Sequence, residues 1–166
     1  VVRIITGKIN SGKTTKIREV YEKNHQGDGF ISRKIMIGSL VYGFNSIRLS
    51  NNVEIPFLLH ERYYPENETI YIEDDENAYL YKIGPYHVVK QSMTMISNTY
   101  RELILSEINP IYFDEVGVLE LRKQGYYDSI CLALANKKDI VITIRDDLIL
   151  KFLDLFKITE YRIISG

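Results

Sequence analysis

Gly7-Lys8-Ile9-Asn10-Ser11-Gly12-Lys13-Thr14 matches G-x-x-x-x-G-K-[ST] in full, the pattern of a loop that wraps phosphate. Gly7 and Gly12 allow close backbone approach and positive φ, and Asn10 is among the few other residue types that tolerate it. Lys13 is spaced to reach the β- and γ-phosphates and to offset charge that grows as the bond between them breaks. Thr15 either caps the following helix or contacts the α-phosphate. The run Gly7, Lys8, Ile9, Asn10, Ser11, Gly12, Lys13, Thr14 and Thr15 is therefore read as a binding set for a nucleoside triphosphate, whether ATP, GTP or another.

A phosphate loop alone binds; hydrolysis also needs a metal and a group that directs water. Ile111-Tyr112-Phe113 is a short apolar run ending in Asp114-Glu115, and such a strand sets its last carboxylate at the sheet edge where the loop also ends. Asp114 is expected to hold Mg²⁺ through water, opposite the Thr14 hydroxyl. Glu115, one residue on, is in position to polarise a water for in-line attack on the γ-phosphate. An extra cation usually serves the transition state, and Arg33, Arg122, Arg145 and Arg162 are the candidates. Arg145 ranks first, because it follows the strand Ile140–Ile144 and stands with Thr143 where neighbouring-strand sensors sit. The expected catalytic set is Glu115, Lys13 and Arg145. Two rival readings share the same loop. A nucleotide or small-molecule kinase would want an acceptor pocket and an arginine-dense lid, and no arginine cluster is visible. A nucleotide-switched module binding a protein or RNA would use hydrolysis only as a reset.

These residues need elements to hold them. Val1–Thr6 is apolar and β-branched, and Thr14–Lys23 continues as a helix with Ile17, Val20 and Tyr21 on one face. From Phe30 to Leu59 the apolar residues alternate in three runs, with Asn51-Asn52 as a turn. Glu73-Asp74-Asp75-Glu76-Asn77 reads as the solvated tip of a hairpin between Ile70-Tyr71-Ile72 and Tyr79-Leu80-Tyr81. Beyond Gln91 helix and strand alternate. Ile96, Tyr100, Leu103 and Ile104 form one stripe, Tyr127, Ile130, Cys131 and Leu134 another, and Ile149, Phe152, Leu153 and Phe156 a third; Tyr161–Ile164 closes as a strand. Apolar strands alternating with helices imply a parallel sheet covered on both faces.

The chain has 166 residues, which fits one domain (1–166). A net charge of −1 with no basic block gives no general pull toward DNA or an anionic membrane. Cys131 is the only cysteine, read as a small core residue rather than a reactive thiol. No apolar stretch is long enough for a membrane span and no signal segment opens the chain, so a cytoplasmic location is the default; nothing in the sequence fixes the oligomeric state, and a monomer is the working expectation. The chain starts at Val1 rather than methionine, and the targeting reading covers only the residues from Val1 onward. His25, His60 and His87 share no metal-ligand spacing. Tyr42, Tyr63, Tyr64 and Tyr86 could stack on a base, though packing on a strand face explains each as well.

With these residues in view, the chain resembles the THEP-type nucleoside-triphosphatase family over nearly its whole length. The landmarks are the phosphate loop with Thr14-Thr15, the pairs Gly29-Phe30 and Gly43-Phe44, the stretch Gly84-x-Tyr86-x-Val88, and Asp114-Glu115-Val116-Gly117-x-Leu119-Glu120-Leu121. The closing Ile158-Thr159-Glu160-Tyr161-Arg162 is similar to the family's ending. Departures are Ile9-Asn10 where the family often has Pro-Gly, Leu40-Val41-Tyr42 where it carries arginines, and Tyr161 in place of its usual asparagine. The resemblance implies an α/β, RecA-like P-loop NTPase fold: a mostly parallel sheet flanked by helices, with an antiparallel block inserted at roughly 29–90. It also implies slow, Mg²⁺-dependent hydrolysis of several nucleoside triphosphates to the diphosphate and phosphate.

Overall fold

The computed structural model describes residues 1–63 and 79–164. In chain order, β1 (Val2–Gly7) leads into α1 (Lys13–Asn24), followed by β2 (Asp28–Ile37), β3 (Leu40–Arg48) and β4 (Glu54–His60). A hairpin of β5 (Tyr79–Ile83) and β6 (Tyr86–Val89) precedes α2 (Lys90–Ile104). Then come β7 (Ile111–Val116), α3 (Val118–Leu121), α4 (Tyr127–Ala135), β8 (Ile140–Arg145), α5 (Ile149–Leu155) and β9 (Tyr161–Ile164).

All these strands join one sheet in the order β5-β6-β4-β3-β2-β7-β8-β1-β9. The pairs β2·β7, β7·β8, β8·β1 and β1·β9 are parallel, and those from β2 out to β5 are antiparallel. One strand, β8, stands between the strand that feeds the loop and the strand that ends in Asp114. The α/β P-loop fold read from the sequence is the fold observed. The inserted block does not form a sheet of its own, because β2 belongs to both halves: Asp28–Phe30 pair in parallel with β7, and the strand runs on antiparallel to β3. At the point where β2 leaves β7, the buried Tyr100 hydroxyl accepts from the Phe30 N–H at 3.1 Å and donates to the Tyr112 carbonyl at 2.7 Å. Without that hydroxyl two buried backbone groups would lack a partner.

Strand periodicity explains the two-sided core. Ile4, Phe113 and Ile142 point to the face covered by α2, α4 and α5, where they meet Ile96, Tyr100, Ile130 and Phe152. The intervening Ile5, Tyr112 and Val141 point to the other face and pack with Ile17 of α1. Strands β7 and β8 are thus buried on both sides, which is why they read as unbroken apolar runs. On α4 the buried face is Ser129, Ile130 and Ala133, continuing from Tyr126, so the stripe differs by a fraction of a turn from the one expected. Cys131 consequently ends up half-buried rather than in the core. Tyr79–Ile83 does form a hairpin, with Tyr86–Val89 as its partner; the expected tip at Glu73–Asn77, its partner run Ile70–Ile72 and Tyr64 lie outside the described residues. Among the described residues no helix is long and apolar enough to cross a membrane, and no group of three or more His, Cys, Asp or Glu gathers as a metal cage.

Candidate active site

β1 ends at Gly7 and α1 begins at Lys13, so the phosphate motif is the connection between them. Asn10 has φ 60° and Gly12 φ 86°, the two reversals that curl the loop. A Cβ on Gly7 would lie 2.3 Å from Ser11 Oγ, so any larger residue there would have to displace the Ser11 side chain. Lys13 is buried along its stem and its ammonium donates to the Lys8 carbonyl at 2.7 Å, bridging the loop mouth. Gly12 at the N-cap offers no side-chain acceptor. The first-turn N–H groups of α1 are thereby left to face an anion.

Asp114 ends the regular part of β7 and is almost fully buried. Its Oδ2 accepts from the Thr14 hydroxyl at 2.8 Å and from the Ser32 N–H at 2.9 Å. Its Oδ1 accepts from the Thr143 hydroxyl at 2.5 Å and from the Glu115 N–H at 3.0 Å. Four neutral donors hold the carboxylate; burial raises its pKa above the ordinary range and these donors pull it part of the way back. The loop and the strand end, a hundred positions apart in sequence, therefore share a direct hydrogen bond.

Glu115 follows in the left-handed region, φ 58°, where a residue with a Cβ is strained. The β7–β8 register slips after Phe113 and resumes at Val116, so the strain sits in a bulge. The Glu115 N–H also donates to Thr143 Oγ1 at 2.8 Å, which holds the bend. Its side chain is exposed into the cleft. Desolvation first, and the Asp114 carboxylate second, raise its carboxyl, against the lowering pull of Lys13 and Lys34.

The cleft has a volume of about 300 Å³ and is lined by residues 10–15, Ser32, Lys34, Phe44 and Glu115. Lys34, which the sequence reading did not single out, points its ammonium at Asn10 Oδ1, 3.4 Å away. Strand alternation on β2 held the signal, since Ser32 and Lys34 lie two apart and share a face. Arg145 is in register with Gly7 at the end of β8. Its guanidinium is engaged by both Asp147 oxygens, at 2.9 and 2.5 Å. Arg33 is likewise clamped by Glu54, at 2.9 and 2.6 Å. Arg122 and Arg162 do not line the cleft, and Arg162 pairs with Arg3 toward the far end of β1. Of the tyrosines considered for base stacking, Tyr42 packs on Tyr63 and Tyr86 on Phe44.

Comparison with known proteins finds relatives among nucleoside-triphosphatases. The chain is 24% identical over 142 residues to nucleoside-triphosphatase THEP1 of Thermotoga petrophila, covering 86% of this chain and 70% of that one. It is 25% identical to nucleoside-triphosphatase THEP1 of Thermotoga maritima, covering 86% and 72%. In three dimensions it is similar to the solution structure of a human cancer-related nucleoside triphosphatase, with a TM-score of 0.62 at 20% identity over 98% of this chain and 88% of that one. The model of the NTPase family matches residues 3–165, and the chain belongs to that family.

Proposed function

We propose that the protein hydrolyses nucleoside triphosphates, ATP and GTP among them, to the diphosphate and phosphate, with Mg²⁺ as cofactor. The observation that carries this reading is the 2.8 Å bond from the Thr14 hydroxyl to Asp114, with Glu115 bent into the same cleft beside it. The Thr14 and Asp114 oxygens are hard donors few in number, the set that suits Mg²⁺, which keeps several waters. When bound, the metal would neutralise charge on the β- and γ-phosphate oxygens. The loop from Gly7 to Thr15 holds the phosphates through its backbone amides, and Lys13 takes up charge on the departing diphosphate. Glu115 accepts a hydrogen bond from the attacking water and orients it along the line of displacement.

Turnover is slow in this reading, because the arginines nearest the site are occupied by Glu54 and Asp147. Lys34 is the cation that faces the loop directly, whereas Arg145 assists only on releasing Asp147. Broad base preference accords with a cleft whose lining reads phosphate. A cytoplasmic setting, where the lone Cys131 stays reduced, suits such an enzyme.

Glu115→Gln is expected to keep nucleotide binding while phosphate release falls roughly tenfold or more. Unchanged turnover would remove Glu115 from its role. Lys13→Ala should weaken binding and hydrolysis together. Comparing Lys34→Ala with Arg145→Ala separates the two cations, and a loss of about tenfold is expected for the first alone.

A further inference from the structure

Glu115 divides two spaces. On one side is the loop cleft; on the other a larger cavity of about 490 Å³, which shares Ser32, Phe44 and Glu115 with the cleft. Displacement at the γ-phosphorus requires the entering oxygen to stand opposite the departing diphosphate. The cavity meets the loop cleft at Glu115, the residue assigned above to direct the entering oxygen, and so lies on the side from which that oxygen would come. Ile9 reaches the cavity and Thr15 does not, which keeps it away from the α-phosphate end from which the nucleoside departs.

Hydrolysis needs room for one water there, roughly 30 Å³. The cavity is many times larger and within the range of small-molecule sites. Its walls include Phe44, Phe57, Tyr86, Leu119, Tyr126 and Leu148, together with the buried Glu120 and Arg145, whose guanidinium is paired with Asp147. Phe57 and Tyr126 stack on each other in the core, parallel within 5°, with the Tyr126 hydroxyl hydrogen-bonded to Ser46; the aromatic rings left to the cavity are those of the half-buried Phe44 and Tyr86. Aromatic surface of this kind suits a flat apolar body. Polarity returns at the end where Ser32 and the Glu115 carboxylate meet the cleft.

We propose that this cavity binds a second substrate, an uncharged aromatic alcohol, and that the protein can pass the γ-phosphoryl group to its hydroxyl. The proposal rests on the triphosphate occupying the loop cleft. The alcohol oxygen forms a bond to the γ-phosphorus as the bond from phosphorus to the β–γ bridging oxygen breaks. The electron pair of that bond leaves on the nucleoside diphosphate, and the hydroxyl proton passes to the Glu115 carboxylate. The products are the diphosphate and an aryl-alkyl phosphate monoester.

The probe is 2-naphthalenemethanol, fluorescent and of suitable size, offered to the whole protein with Mg²⁺ and γ-labelled ATP. Labelled naphthylmethyl phosphate is expected beside free phosphate. The alcohol should also bind protein saturated with a non-hydrolysable triphosphate as well as it binds protein alone. Ile83→Trp, which narrows the cavity from its half-buried rim, should cut ester formation about tenfold while phosphate release in the absence of alcohol stays within about twofold. Normal phosphate release with no labelled ester overturns the acceptor role and leaves the hydrolase standing. Competition between alcohol and triphosphate overturns it too, since the cavity would then hold the base. Neither free phosphate nor ester would instead remove the hydrolase reading.

Discussion

At the scale of single residues, Thr143 does two things with one oxygen. It donates to the Asp114 carboxylate and accepts from the Glu115 backbone amide, so it holds that carboxylate and the backbone bend that carries Glu115, while itself buried. Valine has the same shape and lacks the hydroxyl. Hydrogen bonds to charged groups contribute about 1.5–3 kcal/mol, so Thr143→Val should lower kcat by roughly tenfold to a hundredfold. KM should move much less, because the loop is untouched; steady-state kinetics checks the split, and an equal change in both would show general damage instead. The chain of residues Gly7–Thr15 was legible from spacing alone, as was the acidic pair after the strand, because each motif is local. Lys34 and Ser32 were not singled out. Their part depends on which strand β2 lies beside, and that pairing is not written in any short stretch of sequence.

At the scale of elements, β2 joins the parallel and antiparallel halves of the sheet, and its start needs a residue without a side chain. A Cβ on Gly29 would lie 2.1 Å from the Tyr112 carbonyl oxygen of β7, an atom of backbone that cannot swing aside. Gly29→Ala should therefore cost about 3 kcal/mol, the upper end for overpacking, measured by denaturant unfolding. A near-neutral result would mean that β2 pairs with β7 less closely than described. The short α3 and the start of α4 depend on Glu120, whose buried carboxylate accepts from Gly117 N–H at 2.7 Å and Tyr126 N–H at 2.9 Å. Burial pushes its pKa up to about 7, against those two N–H donors. A carboxyl raised in the fold holds its proton more tightly there than in the unfolded chain, where it titrates near about 4.3. Its stabilising contribution is complete below that value and is lost as the pH rises through about 7. The stability of the protein relative to its Glu120→Gln variant should fall across this window by up to about 3 kcal/mol; a difference that stays level from pH 4.5 to 8 would contradict the assignment. None of α3 was evident from sequence, since a four-residue turn leaves no period to detect. The α4 stripe was displaced for a related reason: Tyr126 and Tyr127 fit an apolar face equally well until a neighbour chooses between them.

For the molecule as a whole, the loop and the end of β7 come together only in the folded state, so a ligand that needs both binds the fold and not the unfolded chain. A non-hydrolysable triphosphate with Mg²⁺ at a hundred times its Kd should add about 2.7 kcal/mol. For a chain of this size that is roughly 5–10 °C in Tm. Scanning calorimetry should register the shift, a chelator should remove most of it, and Lys13→Ala should not gain it. The general layout was readable because buried strands of β-branched residues separated by helices admit few arrangements. The continuity of the sheet through β2 was less evident, since Asp28–Phe30 and the residues after them belong to one unbroken strand with two kinds of neighbour. The left-handed corner at Glu115 has a further implication for that same balance. Asparagine or glycine would sit there with less strain, and in the proposed mechanism either would silence the chemistry while making the protein harder to melt. A laboratory campaign that rewarded heat tolerance alone would drift toward such replacements and end with a sturdier, inert descendant.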